Sequence, residues 1–259
     1  MTKDEVIHLF NKEQRIEITY PGFRREEVGQ VVRQVSLEGE DGFVLYSDLE
    51  QGTVEEVVRE QLAYFQKLNQ TFEWKAYDYD KPDNLVDILR AYGFEIGDPE
   101  ALLVMQLHEG HPLLTWPIPT EIRQVTEDAG IDDIILLEEE IWNEPHEDLG
   151  ERLKRDLRDD SEDLSIYAAY AGGKVVSAAW MYLHHGTSFG SLWGGSTLPD
   201  YRRKGLYTSL LAARAQAAWH KGFRLLTVDA SPLSRPILEK HGFEFLGYSY
   251  PCVSPAQLS

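Results

Sequence analysis

One stretch decides the fold of the chain around it: residues 197–209 read TLPDYRRKGLYTS. A predicted strand ends at Leu198-Pro199 and a predicted helix follows Gly205, so a basic loop connects the two. The first N–H groups of a helix have no partner within it, and the helix dipole is positive at that end. A diphosphate can accept these hydrogen bonds, and glycine lets a ligand approach the backbone closely. The loop therefore predicts a site for a phosphate-bearing ligand.

The charge around this loop differs from that of the whole chain. The formal net charge is -19, which disfavours general nucleic-acid binding and modestly favours a cationic partner, although acidity can serve solubility alone. Residues 201–224 contain no acidic residue. Their basic residues are Arg202, Arg203, Lys204, Arg214, Lys221 and Arg224. A basic island in an acidic chain indicates a local polyanion site.

The composition is that of a globular protein. The 259 residues are 42% hydrophobic, 27% charged and 11% aromatic, enough for a buried core in one large or two small domains. Cys252 is the single cysteine, so no intramolecular disulfide can form. The N-terminus lacks the apolar run of a signal peptide, and no stretch approaches a membrane span. We therefore expect a cytoplasmic protein that binds no membrane. We expect no metal, because the histidines lack zinc-ligand spacing.

The C-terminal half predicts the element order β-α-α-β-β-β-α-β-α-β. Prolines at 112, 117 and 119 mark a domain boundary before it. Gly172-Gly173 predicts a hairpin turn, and five alanines within 212–218 favour the helix after the basic loop. Alternation of strands and helices predicts a mixed α/β (α+β) fold, with helices flanking a central sheet.

The N-terminal half contains a weaker copy of the C-terminal end. Residues 89–94 and 238–243 both read Leu-x-x-x-Gly-Phe after a strand and a helix that begins near a proline. In the first copy, the helix entrance carries Asp48, Glu50, Glu55 and Glu56 in place of the basic loop, so it would repel a phosphate. Thr53 and Glu56 predict a capping box there. We expect a non-binding domain at 1–112 and a ligand-binding domain at 118–259.

Together these features resemble the GNAT (GCN5-related N-acetyltransferase) superfamily in a tandem arrangement. The spacing Arg202-x-x-Gly205-x-Tyr207 is similar to the family's acyl-CoA signature, Arg/Gln-x-x-Gly-x-Gly/Ala. The segment 198–201 and the Leu-x-x-x-Gly-Phe end are also typical, and the resemblance covers about 119–250. Tyr207 departs from the pattern, so its side chain must point away from the diphosphate or the loop must shift.

The resemblance implies acetyl-CoA as co-substrate and a set of binding residues. The loop would hold the diphosphate, and the strand Ser196-Thr197-Leu198 would pair with the pantetheine arm. Gly194-Gly195 suits a bulge, which could free an N–H for the thioester carbonyl or only bend the sheet. The implied cofactor-binding residues are Ser196, Thr197, Leu198, Arg202, Arg203, Lys204, Gly205, Leu206, Tyr207, Thr208 and Ser231.

The catalytic residues do not follow from the resemblance. The positions that usually hold a Glu and a Tyr are Trp193 and Leu238 here. Asp229 and Ser234 are weak substitutes, and Asp229 can equally cap a helix. His184 and His185 lie in a predicted hairpin near a possible acceptor cleft, but a His pair in an exposed turn is more often solvated surface.

The resemblance implies an acyltransferase (EC 2.3.1.-) that moves an acetyl group to a primary amine of a small molecule or peptide by direct attack. The alternative is a non-catalytic acyl-CoA-binding or protein-interaction module of the same fold. A tandem enzyme similar to mycothiol synthases is a further alternative, and a homodimer is left open.

Overall fold

The computed structural model describes residues 1–39 and 41–256. The helices are α1 (Lys3–Phe10), α2 (Val54–Leu68), α3 (Leu85–Ala91), α4 (Asp128–Trp142), α5 (Glu147–Asp159), α6 (Leu206–His220) and α7 (Arg235–Lys240). The strands are β1 (Phe23–Val28), β2 (Val31–Ser36), β3 (Gly42–Ser47), β4 (Phe72–Tyr77), β5 (Glu95–Ile96), β6 (Glu100–Gln106), β7 (Ile122–Val125), β8 (Leu164–Ala171), β9 (Lys174–Leu183), β10 (Phe189–Thr197), β11 (Leu225–Ala230) and β12 (Glu244–Val253).

The chain forms two compact units. The first contains residues 1–103 and 229–259, and the second contains residues 104–228. The last segment belongs to the first unit because β12 pairs with β4, from Ser249 opposite Tyr77 to Val253 opposite Glu73. The bounds of these compact units differ from the expected domain bounds of 1–112 and 118–259. The expected bounds describe the two copies in the sequence and stay a prediction.

The second unit is built on a mixed sheet. Strands β7, β8, β9 and β10 pair antiparallel in that order, and β11 is parallel to β10. Buried apolar side chains of α4, such as Ile131 and Ile134, join those of β8 and β9 in one core, which Leu210 of α6 also enters. The predicted element order is confirmed, with Gly172-Gly173 in the left-handed conformation at the β8–β9 turn.

The first unit repeats this connectivity. Strands β1, β2 and β3 pair antiparallel, and α2 then connects β3 to the parallel strand β4. In the second unit, α6 connects β10 to the parallel strand β11 in the same way. The two Leu-x-x-x-Gly-Phe segments also end their helices alike. The Phe94 N–H donates to the Leu89 carbonyl (3.1 Å) and the Phe243 N–H to the Leu238 carbonyl (3.2 Å), around glycines of positive φ.

One detail of the first unit was predicted wrongly. Helix α2 begins at Val54 after Thr53, but the Thr53 side chain makes no capping hydrogen bond, so the capping box with Glu56 does not form. The Thr53 hydroxyl donates instead to the Glu50 carbonyl (3.3 Å). Among the helices of the described residues, none is long and apolar enough to cross a membrane.

Candidate functional site

The entrance to α6 is a tight, solvent-exposed loop. A short 3-10 turn, Pro199–Tyr201, follows β10, and Gly205 is the N-cap of α6 with φ 84°. Arg203 also has a positive φ, of 62°. Residues 202–205 are exposed. Glycine adopts this left-handed conformation at little cost, which lets the chain turn sharply into the helix.

The main-chain amides of this entrance are unpaired. Within 1–39 and 41–256, the N–H groups of residues 203–207 donate no hydrogen bond to the protein, and no side chain caps α6. The helix therefore presents a row of free donors at its positive end. A phosphate group is the anion that such an arrangement favours.

The basic side chains add positive charge to the same loop. The Arg202 Nε donates to the Thr197 carbonyl (3.0 Å), which ties the loop to the end of β10. The Lys204 ammonium lies 4.7 Å from the centre of the Tyr201 ring. Arg203 is exposed and forms no ion pair with any described residue. No acidic residue occurs between 201 and 224 to offset these charges.

The Tyr207 side chain lies against strand β10. A Cβ placed on Gly195 would lie 2.9 Å from its ring, so the ring packs against the strand β10 at a glycine. Burial raises the pKa of the Tyr207 hydroxyl, and the nearby Arg214 partly offsets this. The ring therefore lies on β10, and its clearance from a bound diphosphate stays a prediction.

Strand β10 is interrupted by a bulge beside this ring. Its register with β9 shifts between Gly194 and Ser196, and Gly194 and Gly195 have φ of 69° and 97°. The pairing of β10 with β11 spans only Phe189 to Ser191. After Ser191, the main-chain groups on this side of β10 are not paired with β11. An extended ligand can bind to them as an added strand would.

A buried arginine supports the bulge. Arg214 of α6 donates from one guanidinium nitrogen to the carbonyls of Trp180 (3.1 Å) and Trp193 (3.2 Å), which are opposite each other on β9 and β10. Burial lowers the pKa of Arg214 to about 10, partly offset by Tyr207 and Tyr167. Because Arg214 satisfies carbonyls on both strands, it holds the backbone next to Gly194 in place.

A carboxylate that the sequence analysis did not propose lies beside the same strand. Glu138 of α4 is 3% exposed, and its Oε2 accepts hydrogen bonds from the Ser196 hydroxyl (2.7 Å) and the Trp142 indole N–H (2.9 Å). Its Oε1 is buried and has no partner among the described residues. Burial raises the pKa of Glu138, partly offset by these two hydrogen bonds. The signal in the sequence was an acid among apolar residues at helical spacing from Ile131 and Ile134.

The proposed catalytic substitutes belong to the first compact unit. Asp229 forms an ion pair with Lys75 (3.1 Å) and accepts a hydrogen bond from Ser249 (3.2 Å). Burial by itself lowers the pKa of Lys75, but Asp229 and Glu100 raise it above its usual range, so Lys75 stays charged. The Ser234 hydroxyl donates to the Ser231 carbonyl (3.3 Å), and the two hydroxyls are 3.2 Å apart. Asp229 is thus committed to a cation, which makes it a poor base.

The usual catalytic positions carry no proton-transfer group. Trp193 is 49% exposed, and its indole N–H donates to the Ser191 hydroxyl (2.9 Å). Leu238 is buried. The same Ser191 hydroxyl lies 2.9 Å from the His184 Nε2.

His184 is expected to make stability depend on pH. Burial lowers its pKa from 6.5 to about 4, so between these values the unfolded chain binds a proton that the folded chain does not. The free energy of unfolding should therefore fall as pH decreases from about 6.5 to about 4, by up to ~3 kcal/mol. Urea unfolding at several pH values would measure it. His184→Gln should show a weaker dependence, and equal dependence in both proteins would contradict the assignment.

Comparison with known proteins connects part of the chain to one family. Residues 131–243, which are less than half of the chain, match the sequence model of the acetyltransferase (GNAT) family. A GCN5-related N-acetyltransferase from Kribbella flavida superposes with a TM-score of 0.68 at 15% identity, covering 97% of this chain and 95% of its own. A tandem GNAT protein from the clavulanic acid biosynthesis pathway gives 0.62 at 13% identity, covering 99% and 96%.

A GCN5-related N-acetyltransferase from Sphaerobacter thermophilus gives a TM-score of 0.56 at 14% identity, covering 88% of this chain and 81% of its own. At these identities the likeness shows the fold alone. It extends over nearly the whole chain, which confirms the expected GNAT fold and supports the tandem arrangement. No curated protein matches the sequence significantly.

Proposed function

We propose that this protein transfers an acetyl group from acetyl-CoA to a primary amine of a small molecule or peptide. The observation that carries the proposal is the row of free N–H groups from Arg203 to Tyr207 at the end of an exposed basic loop. The match of 131–243 to the GNAT family model supports the acetyltransferase class. The diphosphate of coenzyme A is an anion suited to these donors.

The residues present fit the remainder of coenzyme A as well. The edge of β10 after Ser191 offers main-chain groups to the two amides of pantetheine, in the manner of an added strand. This leads the thioester towards the bulge at Gly194-Gly195, where the ladder is interrupted. A main-chain N–H at the bulge would donate to the thioester carbonyl as negative charge develops on its oxygen. The amine attacks that carbonyl directly, without an acyl-enzyme.

Binding of coenzyme A is the first expected result. A ligand that binds only the folded state stabilises it by about 2.7 kcal/mol when present at 100 times its Kd. We expect coenzyme A to raise the Tm by several degrees in a thermal-shift measurement, with adenosine, which lacks the diphosphate, as the matched control. An equal effect of adenosine, or no effect of either, would contradict the diphosphate site.

A binding module without turnover is the second candidate, because Trp193 and Leu238 occupy the positions that usually carry the catalytic groups. Transfer of isotope from labelled acetyl-CoA to a mixture of primary amines separates the two candidates. The proposed enzyme labels at least one amine above a blank without protein. Tight binding of coenzyme A with no labelled amine would favour the module.

A further inference from the structure

Glu138 is a buried acid that uses only one of its two carboxylate oxygens in hydrogen bonds. Both of its hydrogen bonds go to Oε2, from Ser196 and Trp142, while Oε1 is buried with no partner in the described part of the chain. A buried carboxylate oxygen without a donor is costly, so such groups are rare unless they serve a ligand. The unused oxygen is therefore an acceptor that a donor group of a ligand can use.

The surroundings fix this carboxylate beside the strand assigned to the thioester. Ser196 follows Gly195 directly in β10, and its hydroxyl donates to Glu138. The Ser177 hydroxyl of β9 donates to the Ser196 carbonyl (2.8 Å) and lies 2.7 Å from the Thr197 hydroxyl. These contacts hold Ser196, and through it Oε2, so the geometry leaves Oε1 as the reactive oxygen.

Trp142 connects the buried carboxylate to solvent. It is the last residue of α4 and is 60% exposed, although its indole N–H is held on Oε2. An exposed indole is also a favourable platform for an ammonium group. A cationic amine bound on the Trp142 indole would therefore lie next to the buried carboxylate of Glu138.

We propose that Glu138 is the general base for the acceptor amine, with Oε1 as the atom that receives the proton. This inference rests on the proposed function and adds the group that the Trp193 and Leu238 positions do not supply. It also specifies the acceptor as an amine that arrives as an ammonium cation. Ser196 and Trp142 are positioning residues, because they act through Glu138.

The step balances in atoms and charge. An N–H bond of the ammonium breaks, its proton bonds to Oε1, and the electron pair stays on nitrogen. That pair forms the C–N bond at the thioester carbonyl, the C–S bond breaks, and its electrons leave on sulfur. The second proton lost from nitrogen neutralises the thiolate, giving an amide and coenzyme A. Glu138 then releases its proton to solvent.

Electrostatics suits this role. Burial raises the pKa of Glu138 from its ordinary value, which brings a carboxylate closer to the neutral range where a base is most effective. His146, in the loop between α4 and α5, is the one titratable group acting on Glu138 among the described residues, and it lowers that pKa when charged. The described ion pairs of α4 engage other positions of the helix, namely Asp128 with Arg158, Asp132 with Lys154 and Glu140 with Lys174.

The test compares two nucleophiles in the full-length protein. Benzylamine is protonated at neutral pH and needs a base, whereas hydroxylamine is largely uncharged and does not. With acetyl-CoA as donor, Glu138→Gln should lower kcat/KM for benzylamine at least about hundredfold and that for hydroxylamine far less. The rise of kcat/KM with pH that reports on this carboxylate should disappear in the variant. Glu140→Gln, on the exposed side of α4, is the matched control and should change neither rate.

The outcomes separate this inference from the proposed function. Equal loss with both amines, or no loss with either, would overturn the role of Glu138 while acyl transfer by the wild type stands. Coenzyme A binding by Glu138→Gln, measured first, shows that the variant folds. If Glu138→Gln does not bind coenzyme A, Ser196→Ala provides the second test. This variant removes one donor to Oε2, which should raise the pKa of Glu138 and so shift the pH profile of kcat/KM to higher pH. Transfer to neither amine by the wild type would overturn both proposals.

Discussion

Replacement of Gly205 by glutamate is expected to abolish binding of coenzyme A. Gly205 lies at the centre of the free amides of residues 203–207, and a Cβ there meets nothing within 4 Å, so the new side chain has room in the exposed loop. Its charge would compete with the diphosphate for the same donors and repel it. One carboxylate near a diphosphate at the surface opposes binding by about 3 kcal/mol, a loss of more than a hundredfold. Isothermal calorimetry with coenzyme A measures this effect.

Glutamine at the same position is the matched control. Both side chains impose the strain of a positive φ on an L-residue, about 1–3 kcal/mol, so the variants share this cost and differ in charge alone. Gly205→Gln should bind coenzyme A much more tightly than Gly205→Glu, while both keep the far-ultraviolet circular dichroism of the wild type. Equal affinities in the two variants would mean that the diphosphate lies elsewhere.

Removal of the Asp80 carboxylate is expected to destabilise the first compact unit by about 3–5 kcal/mol. Arg15 and Asp80 form a bidentate ion pair at 2.8 and 2.6 Å, with 2% and 3% of the two side chains exposed. Asp80 also accepts the Tyr77 N–H (3.0 Å), and the guanidinium lies 4.3 Å from the centre of the Tyr77 ring. Asp80→Ala leaves a buried cation without its counter-charge. Urea unfolding, with hydrogen exchange in β3 and β4, measures the loss.

An exposed ion pair of the same unit provides the comparison. Asp87 and Arg90 of α3 are paired at the surface, where such contacts contribute little. Asp87→Ala should therefore change the free energy of unfolding by less than about 1 kcal/mol. A similar loss in both variants would show that the buried pair contributes no more than a surface one.

The sequence was sufficient for features that depend on local chemistry. The α6 entrance follows from a basic loop, a glycine and an alanine-rich helix, and the structure places Gly205 at the N-cap. The two Leu-x-x-x-Gly-Phe ends follow in the same way, because a helix that stops at glycine and returns an aromatic to the core needs few distant contacts. The element order of the second half is therefore predictable from residue patterns.

The features that were missed depend on contacts between distant residues. Glu138 was visible as an acid on an apolar face, but its partner Ser196 lies 58 positions away in the sequence. Arg214 was counted in the basic island 201–224, yet the fold buries it, and its guanidinium donates to the carbonyls of Trp180 and Trp193 beside the bulge. Tyr207 was ambiguous from sequence alone, since the space that receives its ring exists only where Gly195 lies beside it.

The acidic entrance of the first copy stays a prediction of a non-binding site. Asp48, Glu50, Glu55 and Glu56 are all exposed around the start of α2, where the second copy has its basic loop. This contrast is electrostatic, and it was readable from the sequence because it depends on charge and spacing.

The central claim is that the main-chain amides of residues 203–207 bind a diphosphate. Titration of the ¹⁵N-labelled protein with coenzyme A, followed by amide NMR, tests it most directly. The account predicts that these amide signals move downfield and saturate together, with the largest shifts in the protein. Unchanged signals at these residues, while coenzyme A binds and shifts amides elsewhere, would contradict it.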